Sequence, residues 1–118
     1  MTVIYKIVSA KAWRDFQLLG VFSGSEVDVA DGYIHFSTQE QLLGTLDKHY
    51  AGQTDLVILA IADQSLDPAQ LKWEPARGGA LFPHLYGDLK LADVLQAVPV
   101  PLLEDGRFAL PPDLAAHA

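Results

Sequence analysis

The apolar and polar positions change period several times along the chain, and each change marks an element. Thr2 to Val8 carries Val3, Ile4, Tyr5, Ile7 and Val8, a density of β-branched and aromatic residues that predicts a first strand. Ser9 is placed to cap a helix whose Ala12, Phe16 and Leu19 share one face, with Trp13 beside them and Gly20 as its stop. Val21 to Asp31 holds neither period, has Ser23-Gly24-Ser25 at its centre, and reads as loop. From Gly32 an apolar-rich run predicts a second strand, with His35 near its carboxyl end. Ser37 and Thr38 can each cap a second helix, because each is followed three residues later by Glu40 or Gln41. Leu42, Leu46 and Tyr50 line one face of that helix, Leu43 is adjacent, and Gly52 lies beyond its end.

Leu56 to Ile61 is the most hydrophobic segment, and an unbroken run of this length predicts a central strand covered on both faces. Asp63 to Pro68 reads as a turn, Leu71 to Glu74 as a short strand, and Pro75 to Ala80 as a mobile loop. Phe82 to Gly87 follows as a loop block in which two aromatics flank a proline and a histidine. Val94 to Val100 alternates as a strand that Pro99 and Pro101 push towards an edge or a bulge. Glu104-Asp105-Gly106 turns a hairpin into Arg107 to Leu110, and the tail from Pro111 is expected to fray. Two helices in the first half and strands dominating the second half predict an α+β class.

Composition narrows the function classes. A chain of 118 residues, half of them apolar, is expected to form one domain with a core that needs neither disulfide nor metal. The absence of cysteine excludes a thiolate nucleophile and a zinc–thiolate site. A net charge of -7 argues against a nonspecific partner such as DNA, which calls for a basic stripe, but a few local donors can still hold a small phosphorylated ligand. No stretch approaches the ~20 apolar residues of a membrane span, and the amino terminus lacks a secretory pattern, so a cytoplasmic location is expected. There is no GxGxxG, P-loop lysine or GxSxG motif, and His35 and His84 lack metal-ligand spacing.

The candidate chemistry concentrates in two segments. His35 and His84 can each donate, accept or shuttle a proton near neutral pH, and a converging pair suits acid–base work. Ser37 and Thr38, beyond their capping role, sit where helix amides could meet an anionic or nucleotide-like ligand. Tyr86 has a ring to stack and a hydroxyl to bond, and Gly87 allows a positive backbone angle or close approach. Glu74, beside Trp73 at the lip of the glycine-rich loop, is the candidate carboxylate for developing positive charge. Lys6 is either an edge-facing charge or a phosphate partner. His49 and His117 read as incidental.

The start Ile4-Tyr5-Lys6-Ile7, Trp13, the run Gly32-Tyr33-Ile34-His35-Phe36-Ser37-Thr38 with Gln41, the strand Asp55-Leu56-Val57, Trp73-Glu74, and Phe82-Pro83-His84-Leu85-Tyr86-Gly87 together resemble a small bacterial family of single domains with GFIHxST and FPHLYG motifs. The resemblance runs from about Val3 to Leu110 and implies an ADP-ribosyltransferase-like fold with a mixed or antiparallel sheet. That fold likeness, rather than the family itself, points to a nucleotide-like ligand such as NAD and to ADP-ribosyl- or phospho-transfer chemistry. The ADP-ribosyltransferases place a histidine or arginine on their first strand, where this chain has Tyr5 and Lys6. Their Gly-x-Tyr-Phe strand is similar to Gly32 to Phe36, with His35 at or beside the aromatic's place. Their late-strand glutamate has no obvious counterpart here, since Glu74 precedes that position and Glu104 lies in a turn. A noncatalytic module that keeps the pocket but binds another small molecule or a peptide is the alternative reading. A two-histidine phosphoesterase would need a second His-x-Ser/Thr motif, and His84-Leu85-Tyr86 does not supply one.

Overall fold

A computed structural model describes residues 2–114. In chain order its elements are β1 (Val3–Ser9), α1 (Ala10–Leu19), β2 (Val21–Phe22), α2 (Glu26–Asp31), β3 (Ile34–His35), α3 (Gln39–His49), β4 (Leu56–Ala62), β5 (Leu71–Pro75), β6 (Leu81–Leu85), β7 (Leu89–Lys90) and β8 (Val94–Pro99). All the strand pairs are antiparallel. They form three small sheets, ordered β1-β4-β8, β2-β7 and β3-β6-β5, so the architecture is α+β with antiparallel sheets.

β4 divides the interior, as its unbroken apolar run predicts. Val57, Leu59 and Ile61 face one core with Ile4, Val8, Phe16, Ile34 and Leu85. Leu56, Ile58 and Ala60 face a second core with Tyr5, Ile7, Leu42, Leu46 and Phe108. Strand alternation sends successive side chains to opposite faces, so one strand serves both cores. β8 occupies the sheet edge, where Pro99, opposite Val57, needs no ladder donor, and its register shifts opposite Ala60 and Ile61.

Several expectations change. There are three helices in the first half of the chain, because Glu26–Asp31 is helical. Its Val27 and Val29 are 64% and 67% exposed and its one buried residue is Asp28, so it has no apolar stripe for a periodicity to reveal. A capping box between Ser25 and Asp28 starts it instead. Gly32 closes this helix in the left-handed region, at φ 89°, rather than opening a strand, and β3 shrinks to two residues. Phe82 to Leu85 belongs to β6, the central strand of its sheet, and not to a loop. Leu19 is 74% exposed and takes no part in the core that Ala12, Trp13 and Phe16 join, because it is the last residue of α1, where Gly20 ends the helix. Pro111 is buried and Leu114 packs on the second core, so the tail is docked as far as it is described, while His117 lies outside the described residues. Among the described residues no helix is long and apolar enough to cross a membrane.

Candidate functional site

The β3-β6-β5 sheet is two-faced. His35 and His84 are directly opposed in the β3–β6 register, and Glu74 is opposed to Phe82. Residues two apart share a face. Tyr33, His35, Phe82, His84, Tyr86 and Glu74 therefore belong to one side, while Ile34, Phe36 and Leu85 turn to the first core. On the polar side the two imidazoles lie with ring centroids 5.5 Å apart. Tyr33 stacks on His84 at 4.1 Å and approaches His35 at 4.6 Å and Tyr86 at 5.2 Å.

A cavity of about 600 Å³ opens beside these rings, lined by β1 at Tyr5, Lys6 and Ile7, by α2, by His35 and His84, and by the flank of α3 at Thr45 and His49. Its position follows from the sheets. Tyr5 exchanges both backbone bonds with Ser37, at 2.9 Å each, in an isolated bridge that joins the free edge of β1 to the segment after β3. Beyond that bridge the two segments part, and the cavity occupies the gap.

Asp28 organises one wall. Its carboxylate accepts from Lys6 Nζ at 2.8 and 3.0 Å, from His35 Nδ1 at 2.6 Å, and from the backbone N–H groups of His35 and Ser25 at 3.1 and 2.8 Å. Burial alone would raise this carboxyl, but the His35 hydrogen bond, the Lys6 charge and the Ser25 amide outweigh it and hold the group well below the usual carboxylate range. Burial draws the Lys6 amine downward, against the opposing pull of Asp28. Gly24 makes room for this centre: at φ 120° a side chain is strained, and its Cβ would sit 2.7 Å from that of Asp28. The second nitrogen of His35, Nε2, lies 2.9 Å from Asp31 Oδ2.

Glu74 organises the other wall. Its Oε1 accepts from His84 Nδ1 and from the Tyr86 hydroxyl, each at 2.8 Å. The His84 bond, then the Tyr86 bond, lower the Glu74 carboxyl, and the Glu74 bond pushes the Tyr86 phenol up to about 12. A phenol raised in this way keeps its favourable interaction below its ordinary 10.0 and loses it as pH rises through about 12. Tyr86 should therefore stay protonated near pH ~11, and Glu74→Gln should return it towards the ordinary value. A tyrosine-ring carbon NMR titration checks this, and ionisation of wild-type Tyr86 near the ordinary phenol value would refute it.

His35, His84, Lys6 and Ser37 all border the cavity. Lys6 is buried rather than edge-facing, because β1 alternation turns it inward beside Ile4 and Val8. Glu74 and Tyr86 stand behind His84, outside the lining. Thr38 caps α3, its N–H bonded to Gln41 Oε1 at 3.0 Å, and the cavity meets the flank of that helix rather than its amino end. Gly87 borders a separate small hollow and has no positive φ; its role is close approach, since a Cβ there would lie 2.3 Å from Gln70 Oε1. Ser37 bonds Thr45 across 3.0 Å. Sequence reasoning passed over Asp28, Asp31, the ring of Tyr33 and His49. The Ser25-x-x-Asp28 spacing and the alternation of Tyr33 with His35 were the available signals.

Comparison with known proteins places this geometry among relatives. The crystal structure of protein CC0527 from Caulobacter crescentus is 44% identical, over 92% of this chain and 94% of its own, with a TM-score of 0.87. A double mutant of that protein gives 42% identity and a TM-score of 0.86 over the same shares. Its solution NMR structure gives 45% identity and 0.79, over 91% of each chain. No curated protein matches the chain. The family described as "Protein of unknown function (DUF952)" matches residues 7–97, and the chain belongs to it.

Proposed function

We propose that the cavity binds a nucleotide-like ligand of the NAD or ADP-ribose type, in an ADP-ribosyltransferase-like fold, and supports transfer chemistry at the ribose. The observation that carries this reading is the cluster of four rings, Tyr33, His35, His84 and Tyr86, flanked by carboxylates at the edge of a cavity of about 600 Å³. Volumes of this order accommodate a ligand of drug-like size. The rings of His35 and His84 border the cavity and suit a planar heterocycle, and the carboxylates of Asp28 and Asp31, which also line it, suit positive charge that develops as a glycosidic bond to nitrogen breaks.

The backbone adds a polar recognition edge. Tyr5 gives both its N–H and its C=O to Ser37, so alternation turns the N–H and C=O of Ile7 to the same edge, where β1 borders the cavity. A donor and an acceptor side by side match a carboxamide, and the Tyr50 hydroxyl approaches the Ile7 carbonyl at 3.5 Å. Ser37, Thr45 and His49 also line the cavity and suit ribose or phosphate oxygens.

Isothermal titration with NAD, ADP-ribose and related nucleotides should give saturable binding. His35→Ala should weaken it at least tenfold, about 1.4 kcal/mol. Silence across that panel from folded wild-type protein sinks the reading. One observation favours the noncatalytic alternative: both nitrogens of His35 already face carboxylates, which suits that residue to holding a ligand more than to exchanging protons with it. Under that alternative another small metabolite or a peptide terminus binds the pocket without turnover, and Glu74→Gln barely changes its affinity.

A further inference from the structure

The two histidines differ in what their ring nitrogens can still do. His35 has Asp28 at Nδ1 and Asp31 at Nε2, so neither nitrogen is left to accept a proton from a substrate. His84 has a partner at Nδ1 alone, Glu74 Oε1 at 2.8 Å. A carboxylate accepts only, so Nδ1 carries the hydrogen, and in the neutral ring Nε2 keeps its lone pair. Among the described residues no buried side-chain nitrogen or oxygen lacks a partner, so Nε2 of His84, which bonds no protein group, must be reached by solvent. His84 lines the cavity and Glu74 does not, so the accessible edge of the ring is the one that faces inward. Tyr33 stacked on the ring and Glu74 bonded to its far side fix its orientation.

We infer that His84 is the general base of this site, that Glu74 is its positioning residue rather than the group that contacts the reacting carbon, and that His35 holds the ligand without exchanging protons. This rests on the NAD-type reading above. In the step it implies, Nε2 of His84 takes the proton of a water molecule as the water oxygen bonds to the anomeric carbon. The bond from that carbon to the nicotinamide nitrogen breaks, its electron pair neutralises the pyridinium, and nicotinamide leaves beside free ADP-ribose. A carboxylate–imidazole pair with the second nitrogen aimed at the reacting oxygen is suited to this proton transfer, which contributes about 10²–10⁴-fold to a rate.

Three measurements on the intact protein test the assignment. Long-range proton–nitrogen NMR should find His84 in the Nδ1–H form, with Nε2 bare, and Glu74→Gln should abolish that bias. With NAD as the probe, nicotinamide release should fall by about 100-fold or more in His84→Gln. Calorimetry on the same variant should find NAD affinity reduced by less than about tenfold, so that the loss falls mainly on the rate rather than on binding. A proton found on Nε2, release by His84→Gln at the wild-type rate, or a wild type that binds NAD and never releases nicotinamide each overturns the proposal. A folded wild type that fails to bind NAD at all overturns the parent reading, and this one with it, and the calorimetry distinguishes that outcome from the others.

Discussion

Asp28→Ala is expected to destabilise the protein by about 3–5 kcal/mol, because it leaves the buried Lys6 ammonium without its counter-charge. The same substitution removes the capping-box carboxylate of α2 and two bonds to His35. Lys6→Met should cost less, since Asp28 would keep His35 and the Ser25 amide as donors, while the double variant should recover part of the loss by removing the orphaned charge. Urea denaturation of the three variants measures this ordering. An Asp28→Ala protein within about 1 kcal/mol of wild type would show that the network carries no weight.

The same carboxylate makes stability depend on acid. Its folded-state ionisation lies below the ordinary 3.8, so its contribution is fully present above that value and is lost as pH falls towards the folded value. Wild type should therefore lose stability more steeply than Asp28→Ala between roughly pH 4 and pH 2.

Phe16→Ala is expected to cost about 3–5 kcal/mol for a different reason, the cavity left in a packed core. Phe16 is 1% exposed, meets Trp13 edge-on at 5.6 Å and lies 5.7 Å from Phe22. It is the one buried residue of α1, so its loss releases that helix from the sheet. Against a total stability of roughly 5–15 kcal/mol, this is a large fraction. Phe16 does not line the cavity, so ligand affinity, measured where the variant is still folded, should be unchanged. A loss below about 1 kcal/mol would mean that α1 is not anchored through this side chain. Asp28→Ala, by contrast, should lose binding and stability together, because it holds both the fold and His35.

The candidate site was legible in part. His35 and His84 stood out because each lies in a short run whose neighbours are apolar or aromatic, and the register of β3 against β6 sets them opposite each other. Glu74 and Tyr86 stood out for the same local reasons, yet their mutual bond and their place behind His84 depend on β5 and β6 pairing in one register. Asp28 was not legible. It lies on a six-residue helix with exposed valines, and its partners Lys6 and His35 are 22 and 7 positions away.

By itself the sequence determined β1, α1, α3 and β4, whose apolar periodicity and caps are local properties that need no partner to be read. It also determined the hairpin turn at Glu104 to Gly106 and the edge character of β8, since proline and glycine act on their own backbone. Only the tertiary structure decided that α2 exists, that the sheet is divided in three, and that a cavity opens where β1 parts from the segment after β3. The division of the sheets and the cavity rest on contacts between residues distant in sequence, while α2 rests on a short capping box with no apolar stripe, and neither leaves a period along the chain. Lys6 shows the difference: its charge was plain in the sequence, but its burial against Asp28 is a product of two elements meeting.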